Sequence, residues 1–128
     1  MYKLDIYPEE ALVVLMFSGQ LEIEEIETAI HEMASHSDYI KHFDGVSDCR
    51  SAKVMFSEKQ LHQFNRKAKE NGIARGVWCL LVDRPLETAM AMIYAHEIKE
   101  NHPVAVFSTV KAASEYLNKD INYYLSRS

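Results

Sequence analysis

Two aspartates, two arginines and four hydroxyls stand where this chain could do polar chemistry. Asp48, Arg50, Ser51 and Ser57 occupy one stretch, Asp83 and Arg84 a second, and Ser108 with Thr109 a third. Brought together, Asp48 and Asp83 would form a carboxylate pair, and Arg50 with Arg84 would clamp an anion beside helix N-termini. The same residue types also have structural uses. Asp83, Ser57 and Thr109 are good helix caps, and the arginines can pair with neighbouring acids. No nucleophile–base arrangement is specified. The six histidines, His31, His36, His42, His62, His96 and His102, include no HxxxH pair that would set two imidazoles on one helical face. The signatures GxSxG, GxxxxGKS/T and GxGxxG are missing, and four glycines leave little for a phosphate cradle. The reading is of a chain with no catalytic residues, no metal site and no cofactor.

Apolar chemistry is better represented. Residues 89 to 95, Ala-Met-Ala-Met-Ile-Tyr-Ala, are apolar without a break, so a helix there is greasy around most of its circumference, whereas a surface helix has one apolar stripe. The second face must meet a helix, a partner subunit or a ligand. The adaptable Met90 and Met92, with Ile93 and Tyr94, suit a self-association surface or an apolar pocket. Met55 and Phe56, apolar in a predicted loop, can cover the same region.

The whole chain limits the choices further. Its 128 residues make a single domain, 1–128, able to bury a core without disulfide or metal. Fourteen Lys and Arg against 19 Asp and Glu give a net charge of −5. The basic residues are scattered apart from Arg66, Lys67 and Lys69, so nucleic acid is not an expected partner. No run approaches the ~18 apolar residues of a membrane span, and the start, MYKLDIYPEE, does not read as a signal peptide. Cys49 and Cys79 form no CxxC pair and suit a reducing compartment, so a cytoplasmic location is expected.

The elements that would position these residues alternate. Ala11–Phe17, Val77–Val82 and Val104–Phe107 are short apolar runs bounded by turn or charged residues, the pattern of buried strands. Tyr2, Leu4 and Ile6 alternate with polar neighbours, and Pro8-Glu9-Glu10 turns this strand back in an antiparallel hairpin. A first helix is expected over about 22–36, a weaker third strand over 43–49, and a second helix from the capping box Ser57–Gln60 to Asn71-Gly72. Pro85 opens the third helix, and Ser108-Thr109 caps a fourth reaching about Asn118. The tail, INYYLSRS, extends that helix or crosses the surface. This predicts an α/β domain with a five-stranded mixed, mostly parallel sheet and about four helices.

That order and several phrases resemble the SpoIIAA-like family, which shares its fold with STAS and CRAL-TRIO domains. The phrases are Gly19-Gln20-Leu21, Val46-Ser47-Asp48-Cys49-Arg50, Val82-Asp83-Arg84-Pro85, and Val106-Phe107-Ser108-Thr109 with Ala112, Ala113, Tyr116 and Leu117. The resemblance implies a module that is not an enzyme, since STAS domains are phosphorylation-switched partner-binding modules and CRAL-TRIO domains carry apolar ligands. The Asp-Ser pair followed by glycine that marks the STAS switch is absent here; Ser51 and Ser57 are the serines within reach of that turn. The expected function is therefore a soluble regulatory or protein-interaction module. Its partner would be another protein, or a second copy in a homodimer. The alternative is a carrier or sensor of an apolar small molecule, with a pocket beside the third helix. An enzyme of unrecognised type comes third. The candidate surfaces are Met55, Phe56, Met90, Met92, Ile93 and Tyr94 for apolar contacts. Asp48, Arg50, Ser51, Ser57, Asp83 and Arg84 are the candidates for a polar strand-end site.

Overall fold

Strand β1 (Tyr2–Tyr7) turns through a single 3-10 turn at Pro8–Glu10 and pairs antiparallel with β2 (Leu12–Leu21), Tyr2 opposite Phe17 and Tyr7 opposite Leu12. This is the expected hairpin. The computed structural model describes residues 1–127. After β2 come α1 (Ile23–Ser35), β3 (Asp44–Val54), α2 (Glu58–Asn71), β4 (Trp78–Leu81), α3 (Pro85–Ile98), β5 (Val104–Phe107), α4 (Val110–Leu117) and α5 (Ile121–Arg127). The strands lie in sequence order, and every pairing after the hairpin is parallel. Parallel neighbours require crossovers, and α1, α2 and α3 supply them.

Side chains alternate across a strand, so each strand feeds two cores. Val13, Leu15 and Phe17 face α1, α2 and α3. Leu12, Val14, Val46, Cys79 and Leu81 face α4 and α5. In-register rows cross the sheet. Leu15, Ser47, Leu80 and Val106 make one, and Val13, Gly45, Trp78 and Val104 the next. Glycine at position 45 is dictated by its neighbour, because a Cβ there would sit 2.4 Å from the Trp78 ring. The indole therefore lies over the β3 backbone.

Local signals set the helix ends. Ser57 caps α2, its hydroxyl accepting from the Gln60 amide at 3.1 Å while the Gln60 side chain accepts from the Ser57 amide at 2.9 Å. Gly72 closes α2 in the left-handed conformation, φ 55°. Thr109 caps α4 and Pro85 begins α3. Three expectations need correction. Asp83 does not cap α3; Arg84 holds that position without a side-chain cap, and Pro85 brings no N–H to be capped. The third strand is 11 residues long and runs to Val54, so Asp48, Arg50 and Ser51 lie within it. Its polar second half lacks an apolar run because only β2 flanks it beyond Asp48. The tail forms a separate fifth helix, which buries Ile121 and Leu125 against the α4 side of the sheet.

Candidate functional site

The polar residues do not converge. Asp48 is buried on the α4 side, in register with Met16 and Leu81. Its carboxylate accepts from Arg50 Nε and Nη2, each at 2.9 Å, and from the Arg50 amide at 3.1 Å. This bidentate pair raises the Arg50 guanidinium above its ordinary value, Asp48 being the main cause and Asp83 a lesser one. Arg84 turns the other way, donating from Nη2 to the Ala52 carbonyl, with its Nε 3.4 Å from Glu87. Glu87 in turn accepts from the Val54 amide at 2.9 Å. Burial pushes the Glu87 carboxyl up, but hydrogen bonds from the Val54 amide and its own amide, with Arg84 and Lys53 nearby, hold it below the usual range. Arg84 and Glu87 thus fasten the first turn of α3 to the end of β3. Ser51 and Asp83 are exposed, and Ser57 is engaged in its cap. Among the described residues no group of three His, Cys, Asp or Glu side chains could hold a metal ion.

The apolar candidates divide between two surfaces. Met90, Ala91, Tyr94 and Ile98 of α3, with Phe56 from the loop before α2, line a cavity of about 350 Å³. Ile93 is half-buried against the same core. Met92, 59 % exposed, faces the opposite way onto a shallow groove with Val104, Val106 and Phe107. Met55 points outward. The unbroken apolar character of α3 therefore has two sources, a cavity on one side and the β5 edge on the other.

The cavity lies between the sheet and α1, α2 and α3. Its floor includes Leu15, Phe17, Ser47, Cys49, Trp78 and Leu80, and its roof Ile26, Ile30, Leu61, Phe64, Met90 and Tyr94. Exposed His31, Lys67 and Asn71 also line it, so it reaches solvent between α1 and α2. There the Lys67–Glu27 ion pair, 3.9 Å apart, spans the gap. Protein interiors hold few voids larger than a water molecule, so this is an unusual vacancy for so small a sheet. Leu80, in the middle of the floor, is only half-buried for that reason.

Three titratable groups in the walls, Cys49, Tyr94 and His102, are held neutral. Burial, then the charges of Asp48 and Glu87, push the Cys49 thiol up to about 12. Such a thiol is no nucleophile at neutral pH. Burial also raises the Tyr94 phenol and lowers the His102 imidazole, whose Nδ1 donates to the Gly76 carbonyl at 2.9 Å. Among the other histidines, His62 Nδ1 lies 2.8 Å from Glu97 Oε2 and links α2 to α3. That hydrogen bond raises the imidazole above its ordinary value.

Ser47, Cys49, Trp78, Leu80 and the α1–α2 lining were not among the sequence candidates. The one local signal was Ser47, a hydroxyl next to Val46 in the first half of β3.

No protein-family model matches the chain, and no curated protein sequence does. Among solved structures it is similar to an uncharacterised protein of the DUF3478 family with a SpoIIAA-like fold from Shewanella loihica PV-4. The two are 12 % identical over 91 % of this chain and 92 % of that one, with a TM-score of 0.58. It is also similar to the anti-sigma factor antagonist SpoIIAA in its unphosphorylated form, at 14 % identity over 92 % of this chain and 98 % of that one, TM-score 0.49. The chain has a SpoIIAA-like α/β fold, as its sequence pattern predicts. No helix among the described residues is long and apolar enough to cross a membrane.

Proposed function

We propose that this protein is a non-catalytic regulatory module that senses or carries a small apolar molecule. The supporting observation is the 350 Å³ cavity, walled by aliphatic and aromatic side chains and opening between two helices. A mainly apolar pocket that opens to solvent can admit and bind apolar guests, and its size falls within the range of small-molecule sites. The non-catalytic part of the reading is supported by the way potential chemistry is tied up. Asp48 is locked by Arg50, Glu87 holds a strand end, and Cys49 is protonated. The absence of the STAS switch sequence argues for control by ligand occupancy rather than by phosphate at Ser51 or Ser57.

Native mass spectrometry of freshly purified protein tests the proposal. The expected result is a mass above that of the chain by one small molecule, released by organic extraction. Protein that carries nothing and gains no mass from any of a panel of apolar compounds contradicts it.

A second reading is a protein-interaction module acting through the opposite side of α3. It is favoured by the exposed apolar residues Leu86, Met92 and Tyr116 and by the half-buried strand β5 at the sheet edge. If that surface forms a dimer, Met92→Glu yields folded monomers, read by light scattering. A monomeric wild type rules out the homodimer form of this reading.

A further inference from the structure

The cavity is apolar in area but not in every atom. Ser47 occupies the middle of its floor, in register between Leu15 and Leu80, and is 8 % exposed. Its hydroxyl has no hydrogen-bond partner among the described residues, although a leucine or valine would suit the same row. Tyr94 reaches the cavity from α3, its ring 6.3 Å from that of Phe64, and its phenol is likewise unpartnered. The indole N–H of Trp78, in the adjacent row, is buried and meets no acceptor. A buried donor without an acceptor is rare in folded proteins, and here one stands beside two hydroxyls that line the same void without a protein partner, so the set calls for an explanation. A guest bearing an acceptor supplies one.

The charges narrow the guest further. Lys67 and Glu27 offset each other at the mouth. Glu87, the carboxylate among the walls at the β3 end, is already bonded to the Val54 amide and disfavours an anion nearby. Nothing inside compensates a desolvated carboxylate, and Glu87, already engaged by the Val54 amide and Arg84, has little left to offer an ammonium group. In size the void is roughly twice the ~150 Å³ of an engineered cavity that holds benzene, which leaves room for a fused pair of rings.

We propose that the cavity takes an uncharged, compact, mainly apolar molecule carrying a carbonyl oxygen, held by the Ser47 and Tyr94 hydroxyls. This deepens the proposed function and rests on it. Polar atoms set into an apolar wall provide orientation and selectivity, as in small-molecule sites generally.

Three probes of one shape separate the possibilities: tetralone, its hydrocarbon tetralin, and tetralin carboxylate. Affinity is measured by calorimetry, and occupancy by the NMR signal of the Trp78 indole N–H, Trp78 being the chain's sole tryptophan. Tetralone should bind about tenfold more tightly than tetralin, the value of one well-placed hydrogen bond to a desolvated group. The carboxylate should bind weakest. Ser47→Ala and Tyr94→Phe each delete one oxygen and should bring tetralone down towards tetralin while leaving tetralin unchanged. Equal affinities for tetralone and tetralin overturn the inference but leave the apolar pocket standing. So does a tetralone preference that neither variant reduces, or a carboxylate that binds tightest. If no probe binds, the proposed function falls and this inference with it.

Discussion

The two faces of one sheet are packed to different standards. On the α4–α5 side, Leu12, Val14, Val46, Cys79, Leu81 and Ala113 are fully buried. One residue away along the same strands, Leu80 and Cys49 are only half-covered, and three helices arch over a void. Strand composition does not account for this, since both faces are supplied by the same apolar runs. The helices differ. Short α4 and α5 lie down on the sheet with Leu117, Ile121 and Leu125, whereas α1 and α2 meet sparsely and leave a gap bridged by Lys67 and Glu27. One face supplies the stability that lets the other stay incompletely filled.

The comparison can be broken most severely by truncation. Leu81→Ala removes a closed-face side chain and should cost about 2–5 kcal/mol, whereas Leu80→Ala next to it should cost no more than about half as much, because its surroundings are already open. Urea unfolding of the two variants measures both. Equal losses would mean that the faces are equally packed.

Overfilling gives the reverse contrast. Ala113→Phe forces a ring into a full core and should destabilise by about 1–3 kcal/mol. Ala91→Phe projects a ring into the cavity and should stabilise by about 0.5–2 kcal/mol, as cavity filling commonly does. It should also abolish the small-molecule adduct in native mass spectrometry. Thermal unfolding and the mass spectrum read the two effects independently.

Helix caps sharpen the contrast locally. Ser57→Ala on α2 and Thr109→Ala on α4 should each cost about 1 kcal/mol. Hydrogen exchange should show the first loosening the cavity roof and the second leaving it protected. Ser57→Asp, itself a good N-cap, should leave stability nearly unchanged.

The smallest effect concerns the His62–Glu97 link between α2 and α3. Because His62 is raised in the folded chain, its contribution is complete below the ordinary histidine value and is lost as pH rises through the folded value. NMR titration should find His62 titrating above that ordinary value, and Glu97→Gln should bring it down. A histidine that ignores the substitution would show that the link does not form in solution.

Much of the fold was legible because its signals are local. The apolar runs, the Ser57–Gln60 box, Pro85, Thr109 and Gly72 each announce an element boundary within a few residues. The long third strand was not legible, since Arg50, Ser51 and Lys53 break its apolar pattern and pairing with β2 alone sustains it. Helix α5 follows a left-handed Asn118 that closes α4, φ 55°, and this separates two stretches whose periodicity reads as one. The apolar surplus of α3 pointed to the right helix, but the void beneath it is a deficit of volume shared among three helices and three strands. No single residue records such a deficit. Ser47 came nearest, as a polar residue where packing alone would select an aliphatic one.

The most direct test of the account is a chemical-shift map of the protein with tetralin, a probe that can report only on apolar space. The account predicts saturable shifts centred on Ser47, Cys49, Trp78, Leu80 and Tyr94, with Leu81, Ala113 and Leu117 on the closed face unmoved. Shifts spread evenly over both faces, or none at all, would contradict it.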